Sequence, residues 1–75
     1  MKELLEALSN GDVRITFQSL LSRKQIKGVY TLKNTNFPQN PASNKLIVRH
    51  ADSGMIEDIE KSTIIGWSRV SGESE

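Results

Sequence analysis

Hydrophobic residues near the start of the chain are spaced as on one side of a helix. Leu4, Leu5 and Leu8 form an apolar stripe, with charged residues left on the opposite side. This spacing predicts an amphipathic helix over residues 1–10. The pair Asn10-Gly11 tolerates positive φ and predicts the end of that helix. A helix this short is marginally stable alone, so its leucines are expected to pack on a sheet.

From residue 12 onward, apolar and polar residues alternate with a period of two, which is typical of half-buried strands. Val13, Ile15 and Phe17 are the inward positions of the first strand. In the second strand, Gly28 predicts a sharp bend or a close approach of the backbone. The third strand is apolar on both sides, which favours a central position in the sheet. The five predicted strands contain, in order, the sequences VRITF, IKGVYTLK, KLIVRHA, MIEDIE and IIGWSRV.

Turn-forming residues separate these strands. Residues 19–24 predict the first turn, and residues 34–44, which include four asparagines and two prolines, predict a long loop. The sequence Asp52-Ser53-Gly54 is typical of a tight hairpin with its glycine in the left-handed conformation. Residues 61–63 predict a single turn before the last strand.

The whole pattern predicts a single domain over residues 1–75, mainly β with one helix, which is an α+β fold. The short helix over 1–10 is followed by five antiparallel strands over 12–70 and by a disordered polar tail over 71–75. Five short strands in a chain of this size favour a partly open small barrel, because curling limits the exposed edges.

Composition narrows the class of protein without naming a function. The chain has no cysteine, which excludes disulfides and thiolate metal sites and suits the cytoplasm. The first residues include two glutamates where a signal peptide would be apolar, and no apolar run approaches the roughly 20 residues that cross a bilayer. We therefore expect a soluble cytoplasmic protein that does not associate with membranes.

Charge is distributed unevenly along the chain, although its net value is only +1. Residues 1–50 hold eight basic and three acidic residues, whereas residues 51–75 hold two basic and six acidic residues. Such asymmetry predicts one basic and one acidic face, which affects the choice of binding partner rather than the fold.

No arrangement of side chains in the sequence predicts catalysis. His50 and Asp52 would share one face of a strand, but no nucleophile motif accompanies them, and a strand end beside a hairpin explains both. Alternation divides Glu57 from Asp58 and Glu60, and these carboxylates lack the glycine-bearing loop of a hard-cation site, so a solvated strand is the favoured interpretation. We expect no enzyme activity, no cofactor and no metal site.

Basic residues are the stronger indication of a binding surface. Several would project from the polar sides of the first three strands, and two lie in the first turn. Such a surface could follow the phosphates of a single strand, with Tyr30 or Phe37 for stacking, although Tyr30 is expected on the core side. Phe37 is either an anchor for a partner or, as favoured, a plug for the end of the barrel. Trp67 is expected in or beside the core. The candidate surface comprises Arg14, Arg23, Lys24, Lys27, Lys33, Phe37 and Arg49.

The order of elements is similar to that of Sm-like small barrels: a short helix, five strands and a one-turn break before the last strand. The segments VRITF, KGVYTLK and KLIVRHADSGMIEDIEKSTIIGW resemble the phage-associated WYL-like barrel family over residues 12–70. The chain departs from that family by placing Trp67 in the fifth strand, where the family has a tryptophan-arginine pair in the fourth. The resemblance implies a non-catalytic barrel that is often phage-encoded.

Two functions of different classes follow from these observations. The favoured one is a small interaction module, a phage or mobile-element accessory or regulatory protein that binds a host or self protein through a sheet edge or the 34–44 loop. The alternative is a single-stranded RNA- or DNA-binding protein that uses the basic face of strands 1–3. Assembly into a homo-oligomer is a further expectation.

Overall fold

One helix and a five-stranded antiparallel sheet make up the fold in the computed structural model, which describes residues 2–70. The strands lie side by side in the order β4-β3-β2-β1-β5. The predicted α+β class is confirmed, whereas the predicted disordered tail lies outside the described residues. The elements are α1 (Lys2–Asn10), β1 (Asp12–Gln18), β2 (Gln25–Thr31), β3 (Lys45–His50), β4 (Ile56–Glu60), a 3-10 turn (Lys61–Thr63) and β5 (Ile64–Arg69).

The inner face of the sheet and one side of α1 enclose a single apolar core. The period of two in β1 is confirmed, since its three predicted inward residues are buried and the residues between them are more exposed. The leucine stripe of α1 packs onto this sheet, which stabilises a helix too short to persist alone. The buried apolar side chains are Leu4, Ala7, Leu8, Val13, Ile15, Phe17, Tyr30, Leu32, Leu46, Val48 and Ile59.

The end of α1 falls where the sequence predicted it, but for a different reason. Neither Asn10 nor Gly11 has a positive φ. Instead, Ser9 Oγ donates a hydrogen bond to the carbonyl of Leu5, and Asn10 Nδ2 donates one to the carbonyl of Glu6, each at 2.9 Å. Both acceptors are carbonyls four residues earlier, a pattern in which the side chain shares the acceptor of the helical backbone bond. Of the last four carbonyls of the helix, that of Leu8 accepts a hydrogen bond from the N–H of Leu32 at 3.0 Å, which ties the end of α1 to the chain beyond β2.

Strand β2 pairs with β1 along its whole length but pairs with β3 only at Tyr30 and Thr31. The half of β2 before Gly28 therefore has one neighbour, and Ile26, on the same side of the strand as the buried Tyr30, is 39% exposed. The close approach predicted at Gly28 is made by a side chain rather than by backbone. A Cβ at this position would lie 2.5 Å from the hydroxyl oxygen of Tyr30.

Strand β3 lies inside the sheet, between β2 and β4, with Leu46 and Val48 buried. The loop of residues 34–44 contacts β3 at a point beyond the last residue pair that β3 forms with β2. There Gln39 Nε2 donates to the carbonyl of Ile47 at 2.7 Å, and the N–H of Ile47 donates to Gln39 Oε1 at 3.2 Å. The glutamine amide thus takes the place of a neighbouring strand.

The sheet is open, because β4 pairs only with β3 and β5 pairs only with β1 among residues 2–70. The turn between β3 and β4 has Gly54 at φ +77°, the left-handed conformation that was predicted for it. The predicted single turn before β5 is the 3-10 turn. No helix in the described part of the chain is long and apolar enough to span a membrane.

Candidate interaction surfaces

Three of the predicted basic residues share the outer face of the sheet, opposite the core. Arg14 on β1 and Lys27 on β2 are diagonal neighbours in the register of the two strands. Arg49 on β3 lies opposite Thr31 on the same face, and its Nε is buried without a hydrogen-bond partner. Within residues 2–70 none of the three forms an ion pair. The same face also carries Asp12 on β1 and Asp58 and Glu60 on β4, so the three cations lie among carboxylates without forming ion pairs with them.

The other three predicted cations lie elsewhere. Arg23 and Lys24 belong to the turn between β1 and β2, whereas Lys33 follows the opposite end of β2. The structure thus brings together half of the predicted basic set and separates the rest. Strand register, which is not readable from single residues, decides this division.

The aromatic rings expected near the cations are not on the outer face. Tyr30 is buried in the core at 1% exposure, so it cannot stack with a nucleic-acid base. Phe37 is partly buried and packs against the core, the position favoured from the sequence. Trp67 lies opposite the buried Ile15 and is 37% exposed, which places it beside the core at the edge of the sheet.

Two leucines that the sequence interpretation passed over are among the most exposed apolar side chains. Leu20 is 69% exposed and Leu21 is 99% exposed, both in the turn that carries Arg23 and Lys24. We call these four residues the β1–β2 tip. The sequence did contain a signal for this exposed apolar patch, namely two adjacent leucines inside a polar turn. A turn on the surface buries few of its side chains, so such leucines are expected to be exposed.

Hydrogen bonds hold the β1–β2 tip in one conformation. The N–H of Ser19 donates to the carbonyl of Lys24 at 2.9 Å, and the N–H of Arg23 donates to the carbonyl of Ser19 at 2.8 Å. Ser19 Oγ accepts from the N–H groups of Leu21 and Ser22, each at 3.3 Å. Arg23 has φ +61°, a conformation that costs a non-glycine residue energy. The leucines are therefore displayed by a rigid turn.

Among residues 2–70, strand β5 has no strand neighbour on the side away from β1. The N–H of Val70 donates to the carbonyl of Asp12 at 3.0 Å, and bonding pairs alternate along antiparallel strands, so Ser68 faces β1. The backbone groups of Trp67 and Arg69 consequently point away from β1.

The two sheet edges differ in how well they are protected from pairing. Strand β5 has no carboxylate, and its Ile65 is 56% exposed. The opposite edge, β4, carries Glu57, Asp58 and Glu60, and charged side chains discourage the pairing of edge strands. The β5 edge is therefore the better template for an added strand.

The side chain of His50 contacts Glu57 and not Asp52, although strand alternation placed His50 and Asp52 on the same face. His50 Nε2 and Glu57 Oε1 are 2.5 Å apart, while Asp52 Oδ1 accepts a hydrogen bond from the N–H of Ser53 at 2.7 Å in the turn. The Tyr30 ring lies beside His50, with 4.8 Å between the ring centroids. Burial, and to a smaller extent the charge of Glu57, raises the pKa of Tyr30 to about 12.

The carboxylates of β4 are divided between its faces, as alternation predicted. Glu57 lies on the side of the buried Ile59, whereas Asp58 and Glu60 lie on the other side, 3.7 Å and 3.1 Å from Lys45 Nζ. In the described part of the chain, no three histidine, aspartate or glutamate side chains are grouped as a metal site requires.

Charge and exposure distinguish three surfaces: the outer face with its unpaired cations, the β1–β2 tip and the β5 edge. Comparison of the chain with protein-family models, with curated proteins and with solved structures found no match. Function is therefore inferred from the geometry of these surfaces.

Proposed function

We propose that this protein is a small protein-binding module whose β5 edge accepts an extended segment of a partner as an additional strand. The observation that carries the proposal is that the backbone groups of Trp67 and Arg69 have no strand partner within the described residues 2–70, on an edge without carboxylates. The exposed Ile65 and the half-exposed Trp67 add apolar contacts beside that edge. Main-chain hydrogen bonds and flanking side-chain contacts together are how strand addition achieves affinity and specificity.

We extend the proposal to fold type and biological setting. The open five-stranded sheet is a variant of the Sm-like small barrel, and the protein serves a phage or mobile element as an accessory or regulatory factor in the host cytoplasm. Support comes from the order of elements, with a 3-10 turn directly before the last strand, and from the resemblance of residues 12–70.

The β5 edge is tested by capturing proteins from a bacterial lysate on immobilised chain, with quantitative mass spectrometry as the readout. Arg69→Pro removes an outward N–H but leaves the hydrogen bonds to β1 in place, because Ser68 and Val70 carry those. Arg69→Ala removes only the side chain and is the matched control. We expect the partner to be retained by Arg69→Ala and lost by Arg69→Pro, and also by Ile65→Lys, which places a charge on the edge.

Circular dichroism first establishes that each variant is folded. Equal capture by the proline variant and the wild type would exclude the β5 edge as the binding surface. A folded wild-type chain that captures no protein specifically would exclude the proposed function itself.

A second function, binding of single-stranded nucleic acid, is favoured by the unpaired charges of the outer face. The double variant Arg14→Glu/Lys27→Glu reverses two of them, and Lys2→Glu on α1 is the control with the same kind of charge change. Fluorescence anisotropy with oligo-U and oligo-dT should show affinity that falls with salt, with a logarithmic slope of about −2 for three contacts to a single strand. The outer-face variant should lose this affinity while Lys2→Glu keeps it. Absence of binding at low salt would eliminate this function.

A further inference from the structure

A groove lies between α1 and the loop of residues 34–44, with a volume of about 460 Å³. Leu5 lines it from α1, Pro41 from the loop, Leu46 from β3 and Lys61 from the 3-10 turn. We call this cavity the α1–loop groove. We propose that it binds a small amphiphilic monoanion, a molecule with one carboxylate group and a short apolar body.

The apolar lining of the groove comes from three elements that meet at the edge of the core. Leu46 is buried, Leu5 is partly buried against the core, and Pro41 is exposed in the loop. A cavity of roughly 300–1,000 Å³ with a mainly apolar lining and a few polar groups is the usual form of a small-molecule site. An apolar body placed in the groove would shield Leu5 and Pro41 from water.

Hydrogen bonds hold the wall of the groove that the loop supplies. Gln39, which also lines the groove, is fixed by its two hydrogen bonds to the backbone of Ile47. The N–H of Lys61 donates to the carbonyl of Asn44 at 2.6 Å, which ties the 3-10 turn to the end of the loop. The groove is therefore formed before a ligand enters, and binding loses little conformational entropy.

Three charged side chains line the groove: Lys2, Glu6 and Lys61. Lys2 and Glu6 are four residues apart on α1, so they are neighbours on the helix surface and offset each other's charge. Lys61 Nζ donates to the carbonyl of Asn40 at 3.3 Å and forms no ion pair within residues 2–70. One positive charge is thus left over at the groove.

The carboxylate next to Lys61 in the sequence is engaged elsewhere. Glu60 Oε1 accepts a hydrogen bond from Asn44 Nδ2 at 2.5 Å, and Glu60 Oε2 lies 3.1 Å from Lys45 Nζ. Glu60 does not line the groove. A single unpaired ammonium beside an apolar lining therefore selects a ligand with one negative charge over a neutral or a cationic one.

An NMR titration of the isotope-labelled chain with octanoate tests the site. The amide signals of Leu5, Leu46 and Lys61 should shift and saturate with a dissociation constant of about 1 mM, as expected for a partly enclosed ligand of about ten non-hydrogen atoms. Octanol, which has the same chain length without the charge, should bind about fivefold more weakly, because it gains no attraction from Lys61.

Two substitutions of lysine isolate the contribution of charge. Lys61→Met keeps the aliphatic stem and should weaken octanoate about fivefold while leaving octanol unchanged. Lys27→Met makes the same change on β2, outside the groove, and should bind both probes as the wild type does. Glu6→Gln removes the carboxylate that lines the groove and should bind octanoate more tightly.

Pro41→Ser isolates the contribution of the apolar lining. It should weaken octanoate and octanol by the same factor, because it removes apolar surface and no charge. Pro41 is exposed, so the change should leave the fold intact, and the NMR spectrum without ligand confirms this.

Several results would overturn the proposal. These are octanoate shifts that do not saturate, equal binding of octanoate by Lys61→Met and the wild type, and binding of octylammonium in the groove as tight as that of octanoate. Shifts of the same amides when the chain alone is concentrated would show that a second copy covers the groove, and would also refute it. The β5 edge plays no part, so Arg69→Pro should bind octanoate as the wild type does.

Discussion

The position of the Tyr30 ring explains a glycine in the middle of a strand. The ring lies across Gly28, where the carbon Cζ and the hydroxyl oxygen would approach a Cβ to 2.7 Å and 2.5 Å. Real Cβ atoms do not approach other atoms so closely, so a side chain at this position would displace the ring from the core. The need for glycine at residue 28 is therefore a packing requirement set by one aromatic residue.

Gly28→Ala should lower the free energy of unfolding by about 1–3 kcal/mol, because the added methyl group forces the Tyr30 ring out of its place. Gly66→Ala is the matched control, since a Cβ at Gly66 meets no atom within 4 Å. Its free energy of unfolding should stay within about 0.5 kcal/mol of wild type or rise, because alanine restricts the unfolded chain. Urea denaturation measures both. Equal stability of the two variants would mean that the ring moves aside without cost.

At the scale of elements, the long loop completes the sheet. Strands β2 and β3 separate after two residue pairs, which leaves the backbone groups of Ile47 without a partner on the side that faces away from β4. Gln39 fills the gap with both atoms of its amide, one donating and one accepting. The sequence suggested the 34–44 loop as a place where a partner could bind. Part of this loop instead stabilises β3 through the hydrogen bonds of Gln39.

Gln39→Ala should lower the free energy of unfolding by about 1–3 kcal/mol, since it leaves two partly buried backbone groups of Ile47 unpaired. Gln18→Ala removes an exposed amide that donates to the carbonyl of Arg23 at 3.3 Å, and should change stability by less than about 0.5 kcal/mol. Hydrogen exchange of the Ile47 amide supplies a local readout, and it should become faster only in the Gln39 variant. Unchanged hydrogen exchange at Ile47 would show that Gln39 is not needed to protect the backbone of β3.

At the scale of the whole molecule, a small core coexists with apolar side chains that do not contribute to it. A chain of 75 residues buries a limited area, and its net stability is expected to be only a few kcal/mol. Large apolar residues outside such a core add little to folding and are available for contact with other molecules. Most lie in or beside the β1–β2 and β3–β4 turns and on β5, and one lies on β2: Leu20, Leu21, Met55, Ile56, Ile65, Trp67 and Ile26.

Alkaline unfolding of the whole molecule should depend on Tyr30, whose pKa is raised to about 12 in the folded state from an ordinary value of 10.0. Below pH 10 both states are protonated and Tyr30 has no effect on the pH dependence. Between about pH 10 and pH 12 the unfolded chain loses the proton first, so the free energy of unfolding falls as pH rises, by roughly 2–3 kcal/mol in total. Tyr30→Phe should remove this part of the pH dependence in urea denaturation series. An identical slope in Tyr30→Phe would assign the alkaline transition to other groups.

Local sequence determined the order and kind of the elements. A spacing of 3–4 residues in α1 and of two residues in β1 follows from the geometry of one element, so Leu4, Leu8 and the inward residues of β1 were predictable. The left-handed Gly54 was predictable for the same reason, because the conformation of a tight turn depends on its own residues.

Only the tertiary structure decided which surfaces those elements form. Register between β2 and β3, which are far apart in sequence, stops the contact of the two strands after two pairs and leaves Ile26 exposed. It also groups Arg14, Lys27 and Arg49 on one face while Arg23 and Lys24 join two exposed leucines on a tip. Spacing along the chain carries no information about such pairings, because they arise when segments far apart in sequence compete for the same small core.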